Sequence, residues 1–207
     1  MPNTEKFWNR FAKRYSKSPI QNIEAYAETM DRTMAHLSKD DSVLEVGCGT
    51  GSTALLLADC VTQITASDFS PKMIDIAKTN ARDQGVENVS FLRSTPFDDS
   101  FGEKPYDAIM AFNFLHLLED PAAAIHRLNE LLKPGGVFIS KTVCMAGQSR
   151  GLLFALPIME KLGFAPYVGI LSIDELDNMI TDAGFEIIDT GVFPASPPSR
   201  FVIARKV

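Results

Sequence analysis

The spacing of apolar positions divides the chain into a helical beginning and an alternating remainder. Within residues 1–40, apolar side chains recur every three or four positions, which is the period of an amphipathic helix. A first group precedes the Ser18-Pro19 break, and a second group follows it. Their members are Phe7, Trp8, Phe11 and Tyr15, then Ile23, Ala27, Met30, Met34 and Leu37. The pattern predicts two helices that form an N-terminal cap on the domain that follows.

Between residues 42 and 141, short apolar runs alternate with amphipathic segments. The runs predict strands at 43–46, 64–67, 89–92, 108–112 and 137–141. The segments between them predict helices at 53–58, 71–83 and 121–132. Ser70 and Asp120 are suitable N-caps for the last two helices because a proline follows each of them. This alternation indicates a parallel sheet with right-handed crossovers, whose ligands bind at the carboxyl ends of the strands.

The C-terminal part of the chain has a different pattern. It predicts a helix at 172–183 that ends at Gly184, and then two strands at 185–192 and 201–205. Two consecutive strands with no helix between them pair antiparallel. We therefore expect an α/β core over residues 41–207: a doubly wound, mostly parallel seven-stranded sheet, with helices on both faces and an antiparallel last strand.

An apolar insertion at about 145–171 separates the fifth predicted strand from the helix at 172–183. Its position in the chain predicts a lid over the ligand face of the sheet. The alternative is that its apolar side chains form the contact of a homodimer.

Composition and charge restrict the class of partner. Of the 207 residues, 45% are apolar and 22% are charged, as in ordinary globular proteins. The net charge of -6 disfavours nucleic acid, because binding to phosphates needs clustered Lys and Arg. The one basic segment fits a solvated helix face and comprises Lys6, Arg10, Lys13, Arg14 and Lys17.

The cysteines and the apolar runs bear on the compartment. Cys48, Cys60 and Cys144 are widely spaced and contain no C-x-x-C pair for a metal or redox site, which indicates a reducing environment. No signal-peptide pattern opens the sequence, and no apolar run reaches the roughly 18 residues of a membrane span. We expect a cytoplasmic protein with no metal site and no transmembrane segment.

A glycine-rich loop follows the first predicted strand, in the stretch Glu45-Val-Gly47-Cys-Gly49-Thr-Gly51. Such a loop brings ligand atoms close to backbone N–H groups at the start of a helix. A dinucleotide-binding fingerprint would place its third glycine at 52, where this chain has Ser52. Glu45 would also repel a pyrophosphate. The loop therefore favours a cationic ligand.

Further motifs follow the loop in the order and spacing of one enzyme class. They are Asp68-Phe-Ser-Pro-Lys-Met73, Tyr106-Asp-Ala-Ile109 and Leu132-Lys-Pro-Gly-Gly136. Together with the glycine loop they span residues 42–141 and resemble class I S-adenosylmethionine-dependent methyltransferases, in particular the small-molecule branch that includes quinone-type C-methyltransferases. The resemblance implies a Rossmann-like methyltransferase fold and S-adenosylmethionine as cofactor.

The resemblance also implies roles for individual residues. Glu45 would face the amino-acid end of the cofactor, Gly47 and Gly49 would let that end lie against the loop, Gly51 would permit close helix packing, and Asp68 would accept from both ribose hydroxyls. The other implied cofactor neighbours are Tyr15, Cys48, Phe69, Met73, Ser94, Thr95 and Phe112.

Simpler interpretations of several of these residues remain open. Glu45 can accept from backbone N–H groups, Asp68 can cap the turn at Ser70, and Met73 and Cys48 can be packing residues.

The segment after the third strand departs from the family pattern. The usual acid is missing from Phe91-Leu-Arg-Ser-Thr-Pro-Phe97. Ser94 and Thr95 are the candidates for contact with the adenine amino group, with Asp98 or Asp99 folding back as the alternative.

The chemistry of methyl transfer makes few demands on side chains. It is a displacement at a carbon activated by a sulfonium, so alignment and exclusion of water contribute most. His116 is the candidate general base because its ordinary pKa lies near neutrality, and Asn113 is the second catalytic candidate. The alternative for His116 and Asn113 is a structural role, in which each orders the loop that contains it. Trp8, Phe11 and Tyr15 form an aromatic stripe that either covers the cofactor or packs the helix.

Together these features predict methyl transfer from S-adenosylmethionine to a small, apolar or aromatic acceptor. The segment 112–116 lacks the Asn-Pro-Pro-Tyr sequence of nucleic-acid amino methyltransferases, in agreement with the charge. The alternatives are a nicotinamide-dependent oxidoreductase and a protein that binds S-adenosylmethionine without catalysis.

Overall fold

A seven-stranded mixed sheet forms the centre of the protein. The computed structural model describes residues 2–101 and 105–207. The strands are β1 (Ser42–Val46), β2 (Gln63–Asp68), β3 (Val89–Arg93), β4 (Tyr106–Phe112), β5 (Leu132–Val143), β6 (Phe185–Ala195) and β7 (Pro198–Lys206). Their order is β3-β2-β1-β4-β5-β7-β6, and β7 is antiparallel to both of its neighbours. The predicted fold class is confirmed.

The strand order determines where a ligand can bind. From β1 the chain proceeds outward through β2 to β3, and then returns to add β4 on the other side of β1. The loops after β1 and β4 therefore leave the sheet in opposite directions, and a crevice opens between them. Glu45 and Met110 are paired residues of these two strands just before the crevice.

Seven α-helices accompany the sheet in the described part of the chain. They are α1 (Pro2–Tyr15), α2 (Ile23–Met34), α3 (Ser52–Leu57), α4 (Pro71–Gln84), α5 (Pro121–Leu131), α6 (Arg150–Lys161) and α7 (Ile173–Asp182). The predicted caps are present: Ser70 Oγ accepts from Met73 N, and Asp120 accepts from Ala123 N. Ser172 and Glu175 form a capping box at the start of α7. No helix within the described ranges is long and apolar enough to cross a bilayer.

The core lies on both faces of the sheet because successive strand residues point in opposite directions. Val43 belongs to the cluster that includes Ala54 of α3 and Ile74 of α4. Leu44, the next residue, belongs to the cluster that includes Ile125 of α5 and Leu176 of α7. Both strand residues are completely buried. β1 is thus fixed from both sides, and the glycine loop begins at a rigid point.

The buried face of α2 differs from the predicted apolar stripe. Ile23 and Met34 are exposed, whereas Thr29 and Thr33 are buried. Lys141 of β5 accounts for Thr29, because its Nζ donates to Thr29 Oγ1 at 2.7 Å and to Ala25 O at 3.2 Å. The hydroxyl of Thr33 donates within the helix, to Thr29 O at 2.7 Å. Apolar periodicity misses this arrangement because the buried ammonium needs polar partners.

The start of β5 also differs from the prediction. The strand begins at Leu132, directly after α5, rather than at residue 137. Leu132 pairs with Tyr106, and the register shifts before Ala108 pairs with Val137. The Lys-Pro-Gly-Gly segment therefore lies within the strand as an irregularity, with Gly135 at φ +73°.

The predicted insertion contains helix α6 and the segment that leads to α7. Its surface is unusually apolar: six of its large apolar side chains are exposed, namely Phe154, Ile158, Met159, Leu162, Phe164 and Ile170. The division of the chain into a cap, a core and a lid stays a prediction.

Candidate active site

The glycine loop between β1 and α3 has a backbone that only glycine adopts without strain. Gly47, Gly49 and Gly51 have φ of +68°, +54° and +79°. A Cβ atom at Gly47 would lie 2.3 Å from Cδ2 of Phe114, and one at Gly51 would lie 2.7 Å from Cε1 of Phe91. Because Gly47 has no side chain, Phe114 of the loop after β4 can pack against it. Because Gly51 has none, the ring of Phe91 in β3 can pack there. The loop is therefore a bare backbone surface between β1 and β4.

Asp68, the last residue of β2, is bonded to the glycine loop. Its Oδ2 accepts from Gly49 N at 3.0 Å, and its Oδ1 accepts from Ser70 N at 2.8 Å. Burial raises the pKa of Asp68 to about 6, and these two N–H groups oppose the rise. A carboxylate oxygen has two lone pairs, so each oxygen retains one for a ligand. Capping of the turn and contact with a ligand are thus compatible roles.

Glu45 lies within β1, beneath the loop. It is 2% exposed, and its Oε2 has no hydrogen-bond partner among the described residues. Burial raises the pKa of Glu45 to about 8, while the backbone N–H of Ala54 acts in the opposite direction. The raised pKa keeps the ligand-free carboxyl of Glu45 mostly protonated near pH 7, and a cationic group beside it would favour the ionised form. This is the chemistry of a site for a ligand with an ammonium group.

A cleft of about 1080 Å³, including its open mouth, lies above the loop. The structure brings ten of the predicted site residues to its wall: Tyr15, Gly47, Gly49, Asp68, Phe69, Met73, Ser94, Thr95, Phe112 and Asn113. Four others do not line it, namely Glu45, Cys48, Gly51 and His116. None of the described wall residues is a lysine or an arginine, so the cleft is acidic.

The turn after β3 is organised by Asp98. Its Oδ2 accepts from Thr95 N at 2.7 Å, and from Thr95 Oγ1 and Ser94 Oγ at 3.1 Å each. The Thr95 N–H lowers the pKa of Asp98. Of the two acids that were the alternative contacts for the adenine amino group, Asp98 folds back, but it contacts the turn and does not line the cleft. Thr95 Oγ1 donates to Asp98, and Ser94 Oγ has Asp98 and the backbone O of Thr95 as acceptors, so both hydroxyl oxygens keep lone pairs that can accept from a ligand amine.

The two catalytic candidates have different positions. Asn113 lines the cleft in a left-handed conformation (φ +51°), and its N donates to Lys141 O at 2.8 Å. Such a backbone is uncommon outside glycine and is concentrated at functional sites. His116 is buried, and its Nδ1 has no partner among the described residues. Burial lowers the pKa of His116 to about 4, so the imidazole is neutral near pH 7 and lies off the cleft wall.

The end of the cleft beyond Asn113 contains residues that the sequence did not single out as site residues. Glu119 is an exposed carboxylate on the wall, and Leu117 and Leu118 precede it. Thr4 and Tyr167 reach the wall from α1 and from the segment after α6. Glu119 lies a few residues after a central strand, which is a usable signal, whereas nothing in the sequence links Thr4 to Tyr167.

Helix α1 covers the cleft. Trp8 and Tyr15 line it, with their rings perpendicular and 6.0 Å apart, whereas Phe11 stacks on Phe7 outside the wall. Asn9 Oδ1 accepts from Ser70 Oγ at 2.8 Å, and Glu5 pairs with Arg93 at 3.2 Å. These polar contacts fix the helix above the carboxyl ends of β2 and β3.

The fold and the site define a class of protein. A bare loop after β1, an acid at the end of β2 and a seven-stranded sheet with an antiparallel β7 are the features of the Rossmann-like methyltransferases. Glu45, a buried carboxyl group with an unpaired oxygen, fits the cationic amino-acid end of S-adenosylmethionine. Asp68, whose oxygens are only partly satisfied, fits the ribose diol. The chain belongs to the methyltransferase domain family, which matches residues 17–190.

Three curated relatives show which proteins the chain is similar to. The chain is 28% identical over 193 residues to the ubiquinone biosynthesis O-methyltransferase of Rickettsia canadensis, covering 89% of this chain and 79% of that protein. It is 34% identical over 113 residues to the tRNA 5-carboxymethoxyuridine methyltransferase of Escherichia coli, covering 53% and 43%. Against the ubiquinone biosynthesis O-methyltransferase of Xylella fastidiosa, the match spans 41% of the relative's length.

A solved structure supports the fold. The N-methyltransferase NodS from Bradyrhizobium japonicum, in complex with S-adenosylhomocysteine, superimposes with a TM-score of 0.71 at 18% identity. The alignment covers 99% of this chain and 98% of that one.

Proposed function

We propose that the protein transfers a methyl group from S-adenosylmethionine to a small, apolar or aromatic acceptor. The observation that carries the proposal is the composition of the cleft beyond the glycine loop. There the wall consists mainly of large apolar side chains, namely Trp8, Phe112, Phe114, Leu117, Leu118 and Tyr167. A mostly apolar pocket with a few polar groups is the usual site of a small ligand.

The acidic end of the cleft supports the choice of cofactor. With Asp68 on the wall, Glu45 beneath the loop and no lysine or arginine among the described wall residues, the site favours a cation over a pyrophosphate. Bound there, S-adenosylmethionine would supply an electrophilic methyl group. The chain's own part is to hold the cofactor at Asp68 and the loop, to cover it with α1 and to exclude water. A nicotinamide dinucleotide would place its pyrophosphate against the loop, where an ionised Glu45 would repel it.

A nucleic acid is the second acceptor to be considered, because one relative is named as a tRNA methyltransferase. The net charge of -6 and the acidic cleft favour a small molecule instead. The basic residues of α1 form a single exposed strip, which is small for a polynucleotide footprint.

The first experiment measures binding and transfer separately. Calorimetry with S-adenosylhomocysteine tests the cofactor site, with NADH as the competing ligand. Transfer from methyl-labelled S-adenosylmethionine is then assayed with phenols, catechols, amines and unfractionated tRNA. We expect binding of S-adenosylhomocysteine and label in the organic extract. Sedimentation of the same sample tests the alternative role of the apolar insertion as a homodimer contact.

Each contrary result selects a named alternative. Binding without transfer to any acceptor identifies a non-catalytic binding protein, label in tRNA overturns the small-molecule acceptor, and binding of NADH alone overturns the methyltransferase activity. The Asp68→Asn variant serves as the control for transfer that does not depend on the cofactor site.

A further inference from the structure

A second cavity adjoins the cleft on its acceptor side. It lies between α1 and the segment that ends α6, and it encloses about 730 Å³ including its mouth. Thr4 and Tyr167 line both cavities. The two spaces are therefore adjacent, with Thr4 and Tyr167 at their common boundary.

The second cavity is cationic, in contrast to the cleft. Lys6, Arg10 and Lys161 line it, with Glu160 as the one acid of its described wall. The N-terminal end of α1, where backbone N–H groups point outward, lies at the junction, since Thr4 is in the first turn. The balance of charge there is positive in a protein whose net charge is -6.

The cations of the second cavity are not equivalent. The guanidinium of Arg10 donates to the backbone O of Gly163 and lies 5.2 Å from the ring centroid of Phe11. Arg10 therefore joins α1 to the segment after α6. The side chains of Lys6 and Lys161 make no hydrogen bond or ion pair with any residue in the described ranges. Their ammonium groups are exposed and available for a ligand.

We infer that the acceptor carries an anionic group, such as a carboxylate, sulfonate or phosphate, which binds between Lys6 and Lys161 while its apolar part occupies the cleft. The inference rests on the proposed function and names its substrate class. Asp68 and Glu119 on the cleft wall repel an anion, so an acidic acceptor has one favourable orientation. That orientation directs the end opposite the charge towards the cofactor site, which is the alignment that a displacement requires.

A matched pair of fluorescent probes tests the charge preference without knowledge of the acceptor. 1-Anilinonaphthalene-8-sulfonate is apolar and anionic, and N-phenyl-1-naphthylamine is its neutral counterpart. Both are titrated into protein saturated with S-adenosylhomocysteine. Trp8 is the only tryptophan and lines the cleft, so energy transfer from Trp8 reports binding in its neighbourhood, and the response to a charge change at Lys6, which lies on α1, separates the second cavity from the exposed face of α6.

Three lysine variants provide the comparison. Lys6→Gln and Lys161→Gln each remove a charge from the cavity, whereas Lys13→Gln removes an exposed charge from α1 that lines neither cavity. We expect the sulfonate to bind more tightly than the neutral probe and to lose about two- to fivefold in affinity with each cavity variant, the scale of an exposed ion pair. The neutral probe and the Lys13→Gln variant should show no change.

Equal affinity for the two probes, absence of energy transfer from Trp8 to the sulfonate, or an equal loss with Lys13→Gln would each overturn the inference. Binding of S-adenosylhomocysteine is measured for every variant. If it is retained while the charge preference is absent, the inference fails and the proposed function stands. If wild-type protein does not bind S-adenosylhomocysteine, the proposed function fails first.

Discussion

The carboxylate of Asp68 accepts a hydrogen bond from the backbone N–H of Gly49 at 3.0 Å, so the ends of β2 and β1 form a single binding surface. The same carboxylate accepts from Ser70 N at 2.8 Å and is 8% exposed on the cleft side. One side chain thus fixes the glycine loop, the start of α4 and the ligand-facing acid.

Replacement of Asp68 by alanine should weaken binding of S-adenosylhomocysteine. The expected loss is about 1.5–3 kcal/mol, the scale of a hydrogen bond to a charged group. Calorimetry measures it. The matched control is Asp75→Ala, which removes an exposed acid from α4 and should leave the affinity unchanged. Unchanged affinity in a folded Asp68→Ala variant would remove Asp68 from the site.

The pKa of Glu45 predicts how the stability of the ligand-free protein depends on pH. Burial raises this pKa from 4.5 to about 8, so between these values the folded state binds a proton that the unfolded state has released. Stability should therefore fall as the pH rises from about 5 to about 8, by about 1–3 kcal/mol. Denaturant unfolding at both pH values measures it.

The Glu45→Gln variant is the control for this pH dependence. Glutamine has the same shape but does not titrate, so the variant should lose most of the slope and be more stable than the wild type at pH 8. An identical slope in both proteins would assign the dependence to other groups. Asp68, with a pKa of about 6, contributes a smaller slope of the same sign.

Alanine at Gly47 should be more destabilising than alanine at another glycine with the same backbone conformation. Gly47 and Gly85 have φ of +68° and +67°, but only at Gly47 would a Cβ clash, at 2.3 Å from Phe114. Gly85→Ala should cost about 1 kcal/mol from conformation alone, and Gly47→Ala about 2–4 kcal/mol because overpacking adds to it. Thermal unfolding measures the loss of stability in each variant. Equal losses would mean that the side chain of Phe114 moves aside without a cost in stability.

Replacement of His116 tests whether it is a general base. Its burial and its position off the cleft wall predict that His116→Leu changes turnover by less than about tenfold, since a general base typically contributes 10²–10⁴-fold. Stability should be retained, because leucine removes the unpaired Nδ1. Single-turnover kinetics decide the matter, and a loss of about 10²-fold or more with intact cofactor binding would establish His116 as the base.

The sequence was sufficient for most of the helices and strands, although it did not predict α6, and it selected ten residues that line the cleft. Buried strands, the proline after Ser70 and Asp120, and the glycines of the loop are local signals, because each is determined by its own neighbours in the chain. Asp68 could be placed for the same reason: the carboxyl ends of parallel strands meet at one edge of the sheet.

The acceptor end depends on contacts between distant segments and could not be predicted. Thr4 and Tyr167 are neighbours at one wall only because α1 and the segment after α6 cross there. The polar face of α2 depends likewise on Lys141, which is 112 residues from Thr29. His116 was selected for its ordinary pKa, and burial, which no local pattern reveals, changes that pKa.

Helix α1 has a consequence for the kinetics of ligand exchange. It is held above the cleft in part by the Asn9–Ser70 hydrogen bond and the largely exposed Glu5–Arg93 ion pair, beside the packing of the buried Ala12. Movement of α1 away from a bound product separates these polar contacts, and dissolved ions screen such an ion pair. Rising ionic strength should therefore shorten the residence time of S-adenosylhomocysteine, which would make release of the spent cofactor, rather than methyl transfer, the step that responds to the salt content of the surroundings.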